Sequence, residues 1–116
     1  MAQFFRLQDL TSQPAAIRQP VEEAVEVGAF NTLVVQVRIP APAGTSGKLK
    51  LITAATLEET AFATPPHWPA SVDIDLAAGP NQIVVLPDPM RYLRWEITAL
   101  VSGTPVEFLI DVVGRD

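Results

Sequence analysis

Apolar and polar residues alternate with a period of two through most of this chain. The clearest run is residues 90–100. There Leu93, Trp95, Ile97 and Ala99 share one side, and Tyr92, Arg94, Glu96 and Thr98 share the other. That period marks a β-strand with one buried face. Val101-Ser102-Gly103-Thr104-Pro105 breaks the run, after which Val106, Phe108, Ile110 and Val112 fall together. The two runs predict a C-terminal antiparallel hairpin carrying most of the large core residues.

Similar runs precede it. Leu33, Val35, Val37 and Ile39 alternate with Val34, Gln36 and Arg38, and their β-branched enrichment predicts a strand over 32–39. Further strands are predicted over 48–54, 71–76 and 82–86, and a shorter one near Val25 and Val27. Val72, Ile74 and Leu76 point inward in this reading, with Asp73 and Asp75 outward. Pro, Gly, Ser and Asn separate the runs at 40–47, 64–69, 78–81 and 87–89, as turns require. Residues 55–63 are the least regular. Thr56 stands three before Glu59 in capping-box spacing, enough for a single helical turn.

Seven or eight short strands with turn signals between them, and no long helical pattern, predict an all-β chain. The expected architecture is an antiparallel β-sandwich, jelly-roll-like if the strands number eight. The 116 residues suit one domain. Residues 21–116 form the sandwich in this reading, and residues 1–20 an N-terminal arm or edge strand built on Phe5 and Leu7.

Composition narrows the function classes. The net charge is −5 and Lys and Arg form no cluster, which argues against a nucleic-acid partner. No apolar run approaches the roughly 20 residues needed to span a bilayer. The N-terminus lacks the basic and apolar regions of a signal peptide. The absence of cysteine removes disulfides and thiolate chemistry. The expected location is therefore the cytoplasm or a virion-like particle. Charged residues make up 18%, below the usual share of about 25%. The 11 prolines are about twice the usual share and imply many turns and strand edges.

The run Arg91-Tyr92-Leu93-Arg94-Trp95 resembles a late core strand of discoidin-like, galactose-binding-like β-sandwich modules, over roughly residues 83–113. That resemblance implies a non-catalytic module binding glycans, lipids or proteins. The ligand-loop aromatics and calcium site of such modules have no residue-by-residue match here, so no ligand is implied. The whole chain also looks like small sandwich proteins encoded among phage and prophage structural genes.

Candidate chemistry is sparse. His67 is the one histidine, held between Pro66 and Trp68, and no nucleophile-elbow pattern accompanies it. Asp73 and Asp75 share a strand face, where carboxylates either hold a cation or simply meet water. No pattern calls for a metal or another cofactor. Phe62, His67 and Trp68 form the candidate ligand site. An indole on a Pro-stiffened loop either stacks on a sugar or folds back over the end of the sandwich. Arg91 and Arg94 bracket Tyr92 and are expected to pair with Glu96 or Glu107.

The broader signal is apolar residues on both strand faces. Val34, Ile52, Val84, Leu86, Leu109 and Val113 fall opposite the main core stripe or cannot be assigned to it. Contiguous apolar surface on a soluble chain marks a contact. Val84, Leu86, Leu109 and Val113, with the arm residues Phe4, Phe5 and Leu7, form the candidate interface of a homo-oligomer. The expected function is a non-enzymatic, self-associating structural subunit of a larger assembly, such as a phage-like particle. The alternative is a glycan- or ligand-binding module using Trp68.

Overall fold

A computed structural model describes residues 2–41, 47–77, 81–100 and 105–116. The expected loop at 40–47, turn at 78–81 and break at 101–105 lie mostly outside them. The described residues form eight strands: β1 (Gln3–Gln13), β2 (Val25–Glu26), β3 (Thr32–Ala41), β4 (Gly47–Ala54), β5 (Asp73–Asp75), β6 (Asn81–Pro87), β7 (Tyr92–Leu100) and β8 (Val106–Arg115). The first sheet has the order β1-β8-β3-β6 and the second β2-β7-β4-β5, all antiparallel. Of these, β4 and β5 alone are neighbours in both sequence and sheet; the other consecutive strands lie in opposite sheets or apart. This interleaving is the double Greek key of an eight-stranded jelly roll.

The predicted hairpin is therefore corrected. β7 pairs with β2 and β4 in the second sheet, whereas β8 pairs with β1 and β3 in the first. The two runs face each other across the sandwich instead of lying side by side. Trp95 meets Phe108 edge-on there, with ring centroids 5.0 Å apart. The period-two pattern decides which side chains point inward. It is silent on which strand lies alongside.

Between the sheets the expected inward residues are buried. Leu33, Val35, Val37 and Ile39 from β3 meet Leu49 and Leu51 from β4, with Leu93, Trp95 and Ile97 beside them. Val106, Phe108, Ile110 and Val112 complete the layer. Ala99, expected inward, is exposed, because the β4–β7 ladder slips by one residue between Lys48 and Leu49. Such a slip reverses the facing of every residue beyond it. In the 55–63 stretch, Glu59–Ala61 make a 3-10 turn whose N-cap, Glu58, forms no side-chain cap bond, so the expected capping box is absent. Another 3-10 turn, Ala70–Val72, leads into β5.

β1 is an edge strand of the first sheet, paired with β8 from Gln3 to Gln13 with two register breaks. Leu7 enters the main core, while Phe5 stacks on Phe30 at 6.1 Å. Phe30 in turn lies against Gly114, where a Cβ would fall 2.5 Å from the ring. Gly114 is therefore required by this contact.

Candidate functional site

Two outer surfaces flank the core, and they are finished differently. On the second sheet, Ile52 and Ala54 of β4 are buried beneath Phe62, with Val21, Ala24 and Tyr92 packed around them. The chain ties this cover down from both sides. Ile17 O accepts from Ile97 N at 2.8 Å, and Gln19 N donates to Trp95 O at 3.0 Å. Thr53 and Ala63 exchange backbone hydrogen bonds of 2.9 and 3.1 Å.

Arg94 is the fastener. It points outward from β7, on the side read as polar, yet is only 1% exposed. Its guanidinium lies over the Phe62 ring at 4.7 Å and donates from Nε and Nη2 to Gln19 O. Nη1 pairs with Glu59 at 2.8 Å. Gln19 is equally buried and donates to Leu7 O. The expected partners Glu96 and Glu107 are corrected: Glu96 pairs with Arg18 at 2.6 Å, and Arg91 with Glu26 at 3.2 Å.

The first sheet carries a row that crosses all four of its strands. Phe4 stands opposite Val113, Val113 opposite Val34, and Val34 opposite Val85. Phe4 is 63% exposed and Val85 50%, with Val34 and Val113 half-buried between them. Ile83, 65% exposed, and the half-buried Leu109 extend the patch along β6 and β8. The hydrophobic clusters of the described residues lay no segment across this face.

One charged group sits within the patch. Asp111 is buried and accepts from Arg6 Nε at 2.7 Å and from Arg38 Nη2 at 2.6 Å. Burial pushes its carboxyl up, but the hydrogen bonds from Arg6 and Arg38, with their charges, outweigh that and hold it below its ordinary value. The same hydrogen bond raises Arg6 above its usual value.

The predicted interface residues divide. Phe4, Leu109 and Val113 lie on this outer face. Leu7, Val84 and Leu86 point into the core, and Phe5 packs on Phe30. For β6 the facing is thus the reverse of the expectation: Ile83 and Val85 are outward. Ile83-Val84-Val85-Leu86 is apolar at every position, so alternation alone cannot choose a side.

The predicted ligand site is not assembled. Phe62 belongs to the cover of the second sheet, whereas Trp68 is 6% exposed in the main core. Trp68 donates its indole N–H to Pro87 O at 2.7 Å, so it folds back over the sandwich. His67 is exposed beside it, with Nε2 3.2 Å from the carbonyl oxygens of Pro87 and Asp88. An open groove of about 670 Å³ runs from His67, Pro69 and Ser71 to Ile83 and Val85. Asp73 is exposed; Asp75 caps Ala77 N at 2.9 Å and lies 3.9 Å from Lys48. Among the described residues no group of three or more potential metal ligands occurs, and no helix is long and apolar enough to cross a membrane.

Comparison with family models, curated proteins and solved structures finds no match to this chain.

Proposed function

We propose that this chain is a non-enzymatic structural subunit that associates with copies of itself within a larger assembly, a phage-like particle or similar. The observation carrying this reading is the apolar row Phe4–Val113–Val34–Val85 on the outer face of the first sheet. Each strand of that sheet contributes one member, so the row is a property of the whole sheet. The same chain buries the apolar residues on the opposite outer face with its own loops. A contiguous apolar patch rimmed by polar groups is the surface signature of a protein contact.

Jelly rolls serve both capsid shells and lectins, so topology does not choose between the two. Burial of Trp68 disfavours the glycan reading, because sugar stacking needs an open ring face. The non-enzymatic part rests on His67, whose hydrogen-bond partners are two backbone carbonyl oxygens.

Light scattering across a concentration series tests the proposal. Mass should rise with concentration, and the rise should weaken when Val34→Lys places a charge in the middle of the row. A monomer at every concentration would falsify the reading.

A further inference from the structure

Among the described residues the two sheets have four edge strands, and three are guarded against pairing with another chain. β1 carries Arg6 and Asp9 and has two register breaks. β2 is two residues long and ends in Glu26. β5 is three residues long, with Asp73 and Asp75 at its ends. Charge, shortness and irregularity are the devices that keep sheet edges from recruiting strangers. β6 reads Asn81-Gln82-Ile83-Val84-Val85-Leu86-Pro87: seven residues, no charge, no register break, and three successive β-branched residues. Within the strand its one guard is Pro87, at its end. Beside it the Ala70–Val72 turn packs and Gln82 Nε2 donates to Asp75 O, leaving an open groove between.

The backbone groups that β6 leaves open follow from that proline. Pro87 O accepts from Trp68 and His67, which lie beyond the edge, so residue 87 turns its polar groups away from β3. Proline, lacking an N–H, suits such an outward position. In an antiparallel ladder alternate residues turn the same way. Ile83 and Val85 therefore also direct their N–H and C=O outward, while Gln82, Val84 and Leu86 bond to β3. Among the described residues no loop backbone hydrogen-bonds to Ile83 or Val85. The groove beside His67, Pro69 and Ser71 runs along this stretch.

We infer that β6 is a two-fold pairing site for a second copy of this chain, joining two first sheets edge to edge. The inference rests on the self-association proposed above and names one contact within it. An antiparallel copy centred on Val84 places Ile83 opposite Val85 of the second copy, and Val85 opposite its Ile83. All four outward groups on each strand then find partners in one register. An isologous contact of this kind needs a strand that complements itself. The uncharged sequence meets that need, because no like charges in Asn81–Pro87 are brought together despite the net charge of −5. The apolar rows of both copies then lie on one continuous eight-stranded face, open to a further layer.

Sedimentation velocity on the full chain reads this contact. Val85→Pro deletes an outward N–H and leaves the β3 ladder intact, so the circular dichroism should stay that of the parent. The dimer dissociation constant should rise at least 100-fold. Ile83→Lys keeps the backbone and should act in the same direction, which carries the test if the proline variant fails to fold. Val84→Cys supplies the chain's single thiol at the centre of the two-fold, in a non-hydrogen-bonded pair with a Cα separation of about 4.5 Å. Mild oxidation should yield a covalent dimer. If the parent associates while Val85→Pro and Ile83→Lys associate equally well, the edge contact is overturned and self-association stands. If the parent is monomeric at every concentration, both fall.

Discussion

On the second sheet, Ile52, Ala54 and Tyr92 lie under Phe62, Val21 and Ala24, whereas on the first, Phe4, Ile83 and Val85 remain exposed. Both faces began with apolar residues at outward positions. The difference lies in where the chain spends its irregular segments. Residues 17–24 and 58–63 both return to the second sheet, where Arg94 receives them with hydrogen bonds to Gln19 O, an ion pair to Glu59 and a cation–π contact to Phe62. The first sheet has a charged group of its own in Arg6–Asp111–Arg38, but its members all belong to strands and, among the described residues, recruit no loop. Covered apolar surface contributes to the fold of the monomer. Uncovered apolar surface is available for a contact. Substitutions on the two faces should therefore separate stability from association.

The reference point is the shared core. Trp95 packs against Phe108 and is 2% exposed, with its indole N–H on Gln8 Oε1 at 3.0 Å. Trp95→Ala should cost about 3–5 kcal/mol, read as a lower denaturation midpoint. Next comes the covered face. Phe62→Ala removes the roof over Ile52 and the seat of the Arg94 guanidinium, and should cost about 3 kcal/mol. Its association, measured where the variant is still folded, should match the parent. A Phe62 variant with parental stability and altered association would invert the assignment of the two faces.

Asp111 tests the open face through pH. Its carboxyl sits below its ordinary value because the hydrogen bonds from Arg6 and Arg38 outweigh the upward push of burial. The folded state therefore holds this proton less tightly than the unfolded chain does. The resulting stability is complete above the unfolded value of roughly 3.9 and is lost as pH falls through the lowered folded value. Asp111→Asn should cost about 1.5 kcal/mol at pH 7, with the gap to the parent closing in strong acid. Denaturant midpoints at pH 7 and pH 3 compare the two. The variant also leaves Arg6 and Arg38 without their counter-charge on the open face and should weaken self-association. An equal gap at both pH values would show that the carboxylate's charge is not what holds this group.

Particular residues show what the sequence revealed. Alternation locates β3, β4, β7 and β8 and names their inward residues from Leu33 to Val112 with the exception of Ala99, because a strand with one clearly apolar side has one way to face. Where both sides are apolar, as in Ile83-Val84-Val85-Leu86 of β6, the rule loses its grip and does not choose the inward side. The break after Leu100 reads as a hairpin, yet β7 and β8 lie in opposite sheets, since a turn signal marks an end and not a neighbour. The cover on the second sheet was hidden because its parts are far apart in sequence. Arg94, Gln19 and Phe62 come together only in three dimensions. The one local hint was an arginine between Leu93 and Trp95. The row on the first sheet is half visible in the sequence: the apolar residues Phe4, Leu109 and Val113 point to it, and Val34 stands opposite the core stripe, but no local pattern aligns the four strands.

The smallest expected effect on stability comes from the centre of that row. Val34 and Val85 stand opposite each other on the outer side of β3 and β6. Replacing both with Thr keeps the β-branched shape that strands favour and exchanges one methyl for a hydroxyl at each site. Because the row borders solvent, those hydroxyls can be hydrated in the monomer, and each change should move folding stability by no more than about 0.5 kcal/mol. In an associated state the same hydroxyls lose water against an apolar partner. A combined penalty of about 1.4 kcal/mol would raise the dissociation constant about tenfold. The denaturant midpoint and the dissociation constant of the double variant, measured together, carry the decision. A midpoint nearly equal to the parent's with a weaker dissociation constant assigns the row to association. A large loss of stability with unchanged association would mean that the row belongs to the monomer's own packing, and that the first sheet is covered as fully as the second.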